Sequence, residues 1–131
     1  MRLLLDTHIL LWALGEPGRL DADSRDLLED PKNEVFFSAA SIWEIAIKVR
    51  LGRADFPYRS GQVAREARAT GFLELPVLSD AAEQVEHLPL HHRDPFDRLL
   101  IAQAICGPML LCTADPILRS YSELVRQIQT A

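Results

Sequence analysis

The amino-acid sequence predicts an α/β domain: a central, mostly parallel sheet flanked by helices. Two observations lead there. Short apolar runs suited to buried strands alternate with stretches of helical periodicity, the pattern of βαβ units whose sheet is covered on both faces. In addition, two of those runs end in an aspartate, Asp6 and Asp115. Ligands of such sheets bind beyond the carboxyl ends of the strands, where these two residues fall.

Taken in order, residues 2–5 form a strand ending at Asp6, and a helix opens at Thr7 and runs to Leu14. Gly15-Glu16-Pro17-Gly18 breaks the chain, a helix follows over 23–30 and stops at Pro31, and 34–37 is the second strand. From Ser41 the apolar positions Ile42, Ile45 and Val49 recur at helical spacing, with Gly52 just past the end. Residues 60–70 read as helix, 72–75 as strand, 79–87 as helix behind a serine cap, and 88–93 as loop. Asp94-Pro95 is an N-cap followed by proline at the first helical position, so a helix runs from there to Gly107. Residues 109–112 form a short buried strand, followed by a helical turn near Ile117 and a last strand over 125–128. No repeat, low-complexity tract or linker divides the chain, so residues 1–131 are expected to form one domain.

Composition narrows the function. With 48% hydrophobic and 25% charged residues the chain matches an ordinary globular protein. The longest apolar run, Ile9 to Leu14, is far short of a membrane span, and the N-terminus has no signal-peptide layout, so a cytoplasmic protein without membrane contact is expected. Cys106 and Cys112 lie in apolar surroundings without zinc-site spacing and are expected as buried free thiols. The net charge of -5 argues against a general nucleic-acid binder. Against that, the basic residues are Arg apart from Lys32 and Lys48, and Arg suits bidentate phosphate contacts.

Most acids sit in polar stretches, but four lie in apolar company. Asp6 follows three leucines, Glu44 lies between Trp43 and Ile45, Asp97 precedes Leu99-Leu100-Ile101, and Asp115 follows the strand ending at Cys112. Each has a structural reading: Asp6 and Asp115 as helix caps, Glu44 in a capping box begun by Ser41 or paired with Lys48, and Asp97 paired with Arg93 or set against the helix N-terminus. Jointly they suggest a cluster, two at strand ends and two in early helical turns facing the same cleft. Carboxylates about 4 Å apart repel by roughly 4 kcal/mol per pair at an effective dielectric of 20, so such a cluster demands a cation. Oxygen-only ligands suit Mg²⁺ or Mn²⁺.

At these residues the sequence resembles the PIN-domain ribonucleases, specifically the VapC toxins of bacterial toxin-antitoxin pairs. The segments that carry the resemblance are Leu3-Leu4-Leu5-Asp6-Thr7-His8, Ser38-Ala39-Ala40-Ser41-Ile42-Trp43-Glu44-Ile45, His92-Arg93-Asp94-Pro95-Phe96-Asp97-Arg98-Leu99-Leu100-Ile101-Ala102 and Thr113-Ala114-Asp115. The resemblance implies a three-layer PIN-like fold and a Mg²⁺-dependent endoribonuclease leaving 5′-phosphate and 3′-hydroxyl ends. Its implied catalytic and metal-binding acids are Asp6, Glu44, Asp97 and Asp115, with Asp94 the alternative to Asp97, and Thr113 supporting the site through its hydroxyl. It also implies a homodimer and a small VapB-type antitoxin. Arg50, Arg53, Arg93 and Arg98 are candidates for holding the RNA backbone. His8, where many relatives carry a smaller polar residue, reads as a partly buried histidine.

Other acidic pockets fit less well. A receiver-type signalling domain needs a late lysine, and none follows Lys48; a haloacid dehalogenase-type phosphatase needs Asp-x-Asp, which Asp6-Thr7-His8 lacks. The remaining alternative is a non-catalytic interaction module on the PIN fold.

Overall fold

A computed structural model describes residues 1–52, 57–91 and 93–129. Five strands, β1 (Arg2–Leu5), β2 (Glu34–Ser38), β3 (Leu73–Leu75), β4 (Leu110–Thr113) and β5 (Val125–Gln127), form one sheet in the order β3-β2-β1-β4-β5. Every pairing is parallel. Among the described residues six α-helices cover it: α1 (Thr7–Gly15), α2 (Ala22–Glu29), α3 (Ala39–Arg50), α4 (Ser60–Thr70), α5 (Ser79–Gln84) and α6 (Pro95–Cys106).

The three-layer α/β expectation holds, and the strand residues say why. Leu3, Leu5, Val35, Phe37 and Cys112 point into one core, shared with Ile9, Leu10, Ile45, Val63 and Ala67 of α1, α3 and α4. Leu4, Phe36 and Leu111 point the other way, against Leu100, Ile101 and Ala104 of α6 and Ala81 of α5. Successive side chains of a strand face opposite sides of a sheet, so a strand between two helical layers must be apolar throughout. Leu3, Leu4 and Leu5 are all fully buried, each worth about 1.5–3 kcal/mol of apolar transfer.

Boundaries shift where caps decide them. α2 starts one residue early because Asp21 accepts the Ser24 N–H at 2.8 Å. α3 starts at Ala39, two residues before the periodicity suggested, because Ser38 Oγ accepts the Ala40 N–H at 3.0 Å. Ser79 is not a cap: it is the first residue of α5, behind Leu78, and Val85–His87 continues as a 3-10 turn. Gly52 and Gly71 adopt positive φ (67° and 100°) just past α3 and α4, where a Cβ would be strained. Cys112 is buried as expected, but Cys106, the last residue of α6, is exposed. No helix among the described residues is long and apolar enough to cross a membrane.

The chain moves from β1 outward to β2 and β3, then crosses back to β4 on the other side of β1. The strand order therefore reverses between β1 and β4, where a parallel sheet opens a crevice at its carboxyl edge. Asp6 follows β1 directly, and Asp115 stands two residues past the end of β4.

Candidate active site

Asp6 is the residue after β1, and its backbone N–H donates to Cys112 O at 3.0 Å, extending the β1–β4 ladder past the last leucine. Its carboxylate is buried and doubly held. Oδ1 accepts the Ile9 N–H at 2.8 Å, capping α1, and Oδ2 accepts the hydroxyl hydrogen of Thr113, itself fully buried. The same Thr113 oxygen accepts the Asp115 N–H at 3.1 Å. Asp115 Oδ1 accepts the Ile117 N–H at 3.0 Å and so caps the 3-10 turn Pro116–Ser120. The capping readings of Asp6 and Asp115 are thus correct, and capping fixes both carboxylates at the crevice.

Glu44 reaches the same edge from α3. With the helix starting at Ala39, Glu44 lies in its second turn, so the capping box begun by Ser41 does not form. Its buried side chain turns toward β1 instead: the Thr7 hydroxyl donates to Oε1 at 2.7 Å. Thr7 Oγ1 also stands 2.9 Å from the Ser41 hydroxyl. An ionised carboxylate only accepts and a hydroxyl has one hydrogen, so Thr7 donates to Glu44 and accepts from Ser41. Lys48 completes the expected i,i+4 pair, its Nζ 2.8 Å from Glu44 Oε2. Thr7 bonds Glu44 and Ser41 bonds Thr7, roles that the sequence reading does not give them. The signal was present: a hydroxyl directly after a strand-end acid, and another one helical turn before Glu44.

α6 feeds into the amino end of β4, so its own N-terminus lies at the carboxyl edge. Asp94 caps it, Oδ1 accepting from Phe96 N at 2.8 Å and Asp97 N at 3.4 Å, which leaves Asp97, half-buried in the first turn, as the acid without that duty. α3 and α6 belong to opposite layers, yet they meet over the strand ends. The Trp43 and Phe96 rings touch edge-on with centroids 5.3 Å apart, and each directly precedes one of the two helix acids in the chain. Behind them the Ser38 hydroxyl donates to Gln103 Oε1 at 2.6 Å, and Gln103 Nε2 donates to Pro76 O at 3.2 Å.

Burial pushes the Asp6 carboxyl above its ordinary value of 3.8; the bonds from Thr113 and Ile9 and the nearby His8 oppose this, and the Glu44 charge adds to it. Asp6 and Glu44 therefore feel each other as like charges. The N-termini of α1, α3 and α6 converge on this edge with their positive partial charges, which favours anions there. Among the described residues no three acidic, histidine or cysteine side chains already stand at the spacing of a metal cage. Glu44 is instead paired with Lys48. By donor chemistry and charge the residues fit a hard divalent ion: all donors are oxygens, and a buried carboxylate paired with another gains from a cation.

The other candidates diverge. Arg98 donates to the carbonyls of Pro89 (2.9 Å), Val85 (3.1 Å) and Leu88 (3.4 Å), so it pins the segment before α6. Arg50 and Arg93 are exposed. Arg53 and His92 lie outside the described residues. His8 is exposed, not partly buried, with its ring 6.2 Å from that of Trp12.

A five-stranded parallel sheet between helical layers, with acids from β1, α3, α6 and β4 brought toward its switch-point edge, defines the class: an α/β protein with an acidic carboxyl-edge site. The chain belongs to the PIN domain family, whose model matches residues 3–124. Among solved structures it is similar to the crystal structure of VapBC2 from Rickettsia felis bound to a DNA fragment from their promoter, with a TM-score of 0.71 and 15% identity. That match covers 98% of this chain and 100% of the other, and at such identity it speaks for the fold. No curated protein matches the chain.

Proposed function

We propose that residues 1–131 act as one PIN domain, a Mg²⁺-dependent endoribonuclease serving as the toxin of a toxin-antitoxin pair in the cytoplasm. The observation that carries this reading is a pair of hydroxyl bonds to the acids: Thr7, the residue after Asp6, bonds Glu44, and Thr113 bonds both Asp6 and the backbone of Asp115. Bonds of this kind hold carboxylates against their mutual repulsion at the one edge of a parallel sheet where ligands bind. Family membership and the fold shared with a VapBC protein support it.

Asp6, Glu44, Asp97 and Asp115 would hold the ion, Mg²⁺ or alternatively Mn²⁺. When bound, it lowers the pKa of an attacking water and offsets charge developing on the phosphodiester. The chain's own residues do the positioning. Thr113 and the Ile9 N–H fix both oxygens of Asp6, so its carboxylate does not rotate away. Thr7 aims Glu44 along the same edge. The converging helix N-termini favour a phosphate arriving there. A VapB-type antitoxin and a second copy of the chain are the proposed protein partners, the antitoxin suggested by the complex in which the structural neighbour occurs.

The test is cleavage of a generic single-stranded RNA by the purified chain, with and without EDTA. Chelator-sensitive cleavage that leaves 5′-phosphate ends and disappears in Asp6→Asn is expected. RNA left intact at every Mg²⁺ and Mn²⁺ concentration would overturn the assignment and favour a non-catalytic binding module.

A further inference from the structure

We propose that Trp43, braced by Phe96, is a stacking platform for a nucleobase beside the scissile phosphate; this rests on the RNA-cleaving reading above. Trp43 is 59% exposed although it stands directly before the buried Glu44, and its contact with Phe96 is edge-on, so most of the indole surface remains in water. Phe96 in turn directly precedes Asp97. The aromatic pair therefore bridges α3 and α6 where those helices bring their acids to the sheet edge. A single strand with its phosphate at the acids passes this ring.

The charge of the protein says why a base, and not more phosphate, is held there. The net charge is -5, and several of its cations are already committed. Lys48 is on Glu44, Arg19 on Glu16, Arg68 on Glu74, Arg2 on the Gly107 carbonyl, and Arg98 on the carbonyls before α6. In a chain of net negative charge, affinity for RNA draws on other surface as well as on the remaining arginines. Aromatic stacking supplies it for single strands with little regard to sequence, because every base presents a π-face. Trp43 stands directly before Glu44, and the ring it rests on stands directly before Asp97, which ties this aromatic surface to the acids.

The experiment uses the two-tryptophan composition of the chain. In a Trp12→Phe background Trp43 is the one indole reporter, and a fluorescently labelled single-stranded oligoribonucleotide is titrated in EDTA, with anisotropy reporting binding and indole emission reporting stacking. Quenching of Trp43 in step with the anisotropy rise is expected. In the otherwise unaltered chain, Trp43→Ala should weaken binding about tenfold or more and raise KM with kcat within a few-fold, while Trp43→Phe restores most of the affinity. An unquenched Trp43 at saturating RNA, no binding at all, or Trp43→Ala binding within twofold of the parent would each overturn the proposal. So would an indole that acrylamide cannot reach in the free protein, together with a change in oligomeric mass in Trp43→Ala, which would make it a contact between copies. EDTA-sensitive cleavage by the unaltered chain, measured in parallel, reports on the nuclease reading separately.

Discussion

Thr113 donates its hydroxyl hydrogen to Asp6 while the same oxygen accepts the Asp115 N–H, so one side chain at the end of β4 links two of the four acids. This follows from register: Leu5 pairs with Cys112, which sets Asp6 beside Thr113.

Thr113→Val keeps the shape and removes both bonds. It is expected to cost about 1–3 kcal/mol in urea unfolding, since it takes the partner from a half-buried N–H and from a buried carboxylate oxygen. Cleavage should fall roughly ten- to hundredfold, the usual effect of losing a group that orients a metal ligand. Unchanged activity in a variant that has lost stability would mean that Thr113 only supports the fold.

Asp6 makes the metal-free protein sensitive to pH. Its folded pKa is raised above 3.8 by burial, so the neutral form is favoured in the folded state. The sign follows from linkage: its contribution is fully present below 3.8 and is lost as pH rises through the higher folded value. Thermal unfolding in EDTA should show the unaltered chain losing stability relative to Asp6→Asn across that window. Added Mg²⁺ should restore more stability at the alkaline end, where the carboxylate is ionised, and none in Asp6→Asn.

Lys48→Met removes the ammonium 2.8 Å from Glu44 Oε2. Lys48 is about a third exposed, so solvent screens the pair, and a loss of about 1–2 kcal/mol is expected without metal. With Lys48 no longer competing for Glu44, calorimetry should find divalent binding equal to or tighter than in the unaltered chain. Weaker binding would show that Lys48 helps to hold the ion or its ligands.

Gln103→Leu separates architecture from chemistry. It removes the acceptor of the Ser38 hydroxyl hydrogen and the donor to the Pro76 carbonyl behind the site, and about 2 kcal/mol of stability should be lost. Because Gln103 touches none of the four acids through any of these bonds, the Mg²⁺-induced shift in Tm should match that of the unaltered chain.

The sequence carried the fold and the acids because both are written locally. An apolar run buried on both faces needs no partner to be recognised, and an acid at its end is visible as an interruption. What connects the acids is not local. Thr7 and Glu44 are 37 positions apart, and Thr113 and Asp6 are 107 apart, so their pairing exists only once the strands are in register. Periodicity also misplaced the start of α3: Ala39 and Ala40 carry no amphipathic signal, whereas the Ser38 cap sets the boundary. That two-residue shift turned an expected capping box into a side chain directed at the site. The exposed ring of Trp43 was likewise hidden, since tryptophan within an apolar helical stripe reads as core.

Chain folding is expected to bring Asp6, Glu44, Asp97 and Asp115 around a shared divalent ion. A crystal grown with Mn²⁺ and measured for anomalous scattering tests it most directly. An anomalous peak within ligand distance of Asp6 and at least two of the other three carboxylates is predicted, with Glu44 drawn off Lys48. A fully occupied Mn²⁺ bound elsewhere, with Glu44 still on Lys48 and Asp6 still held by Thr113 and the Ile9 N–H, would contradict it.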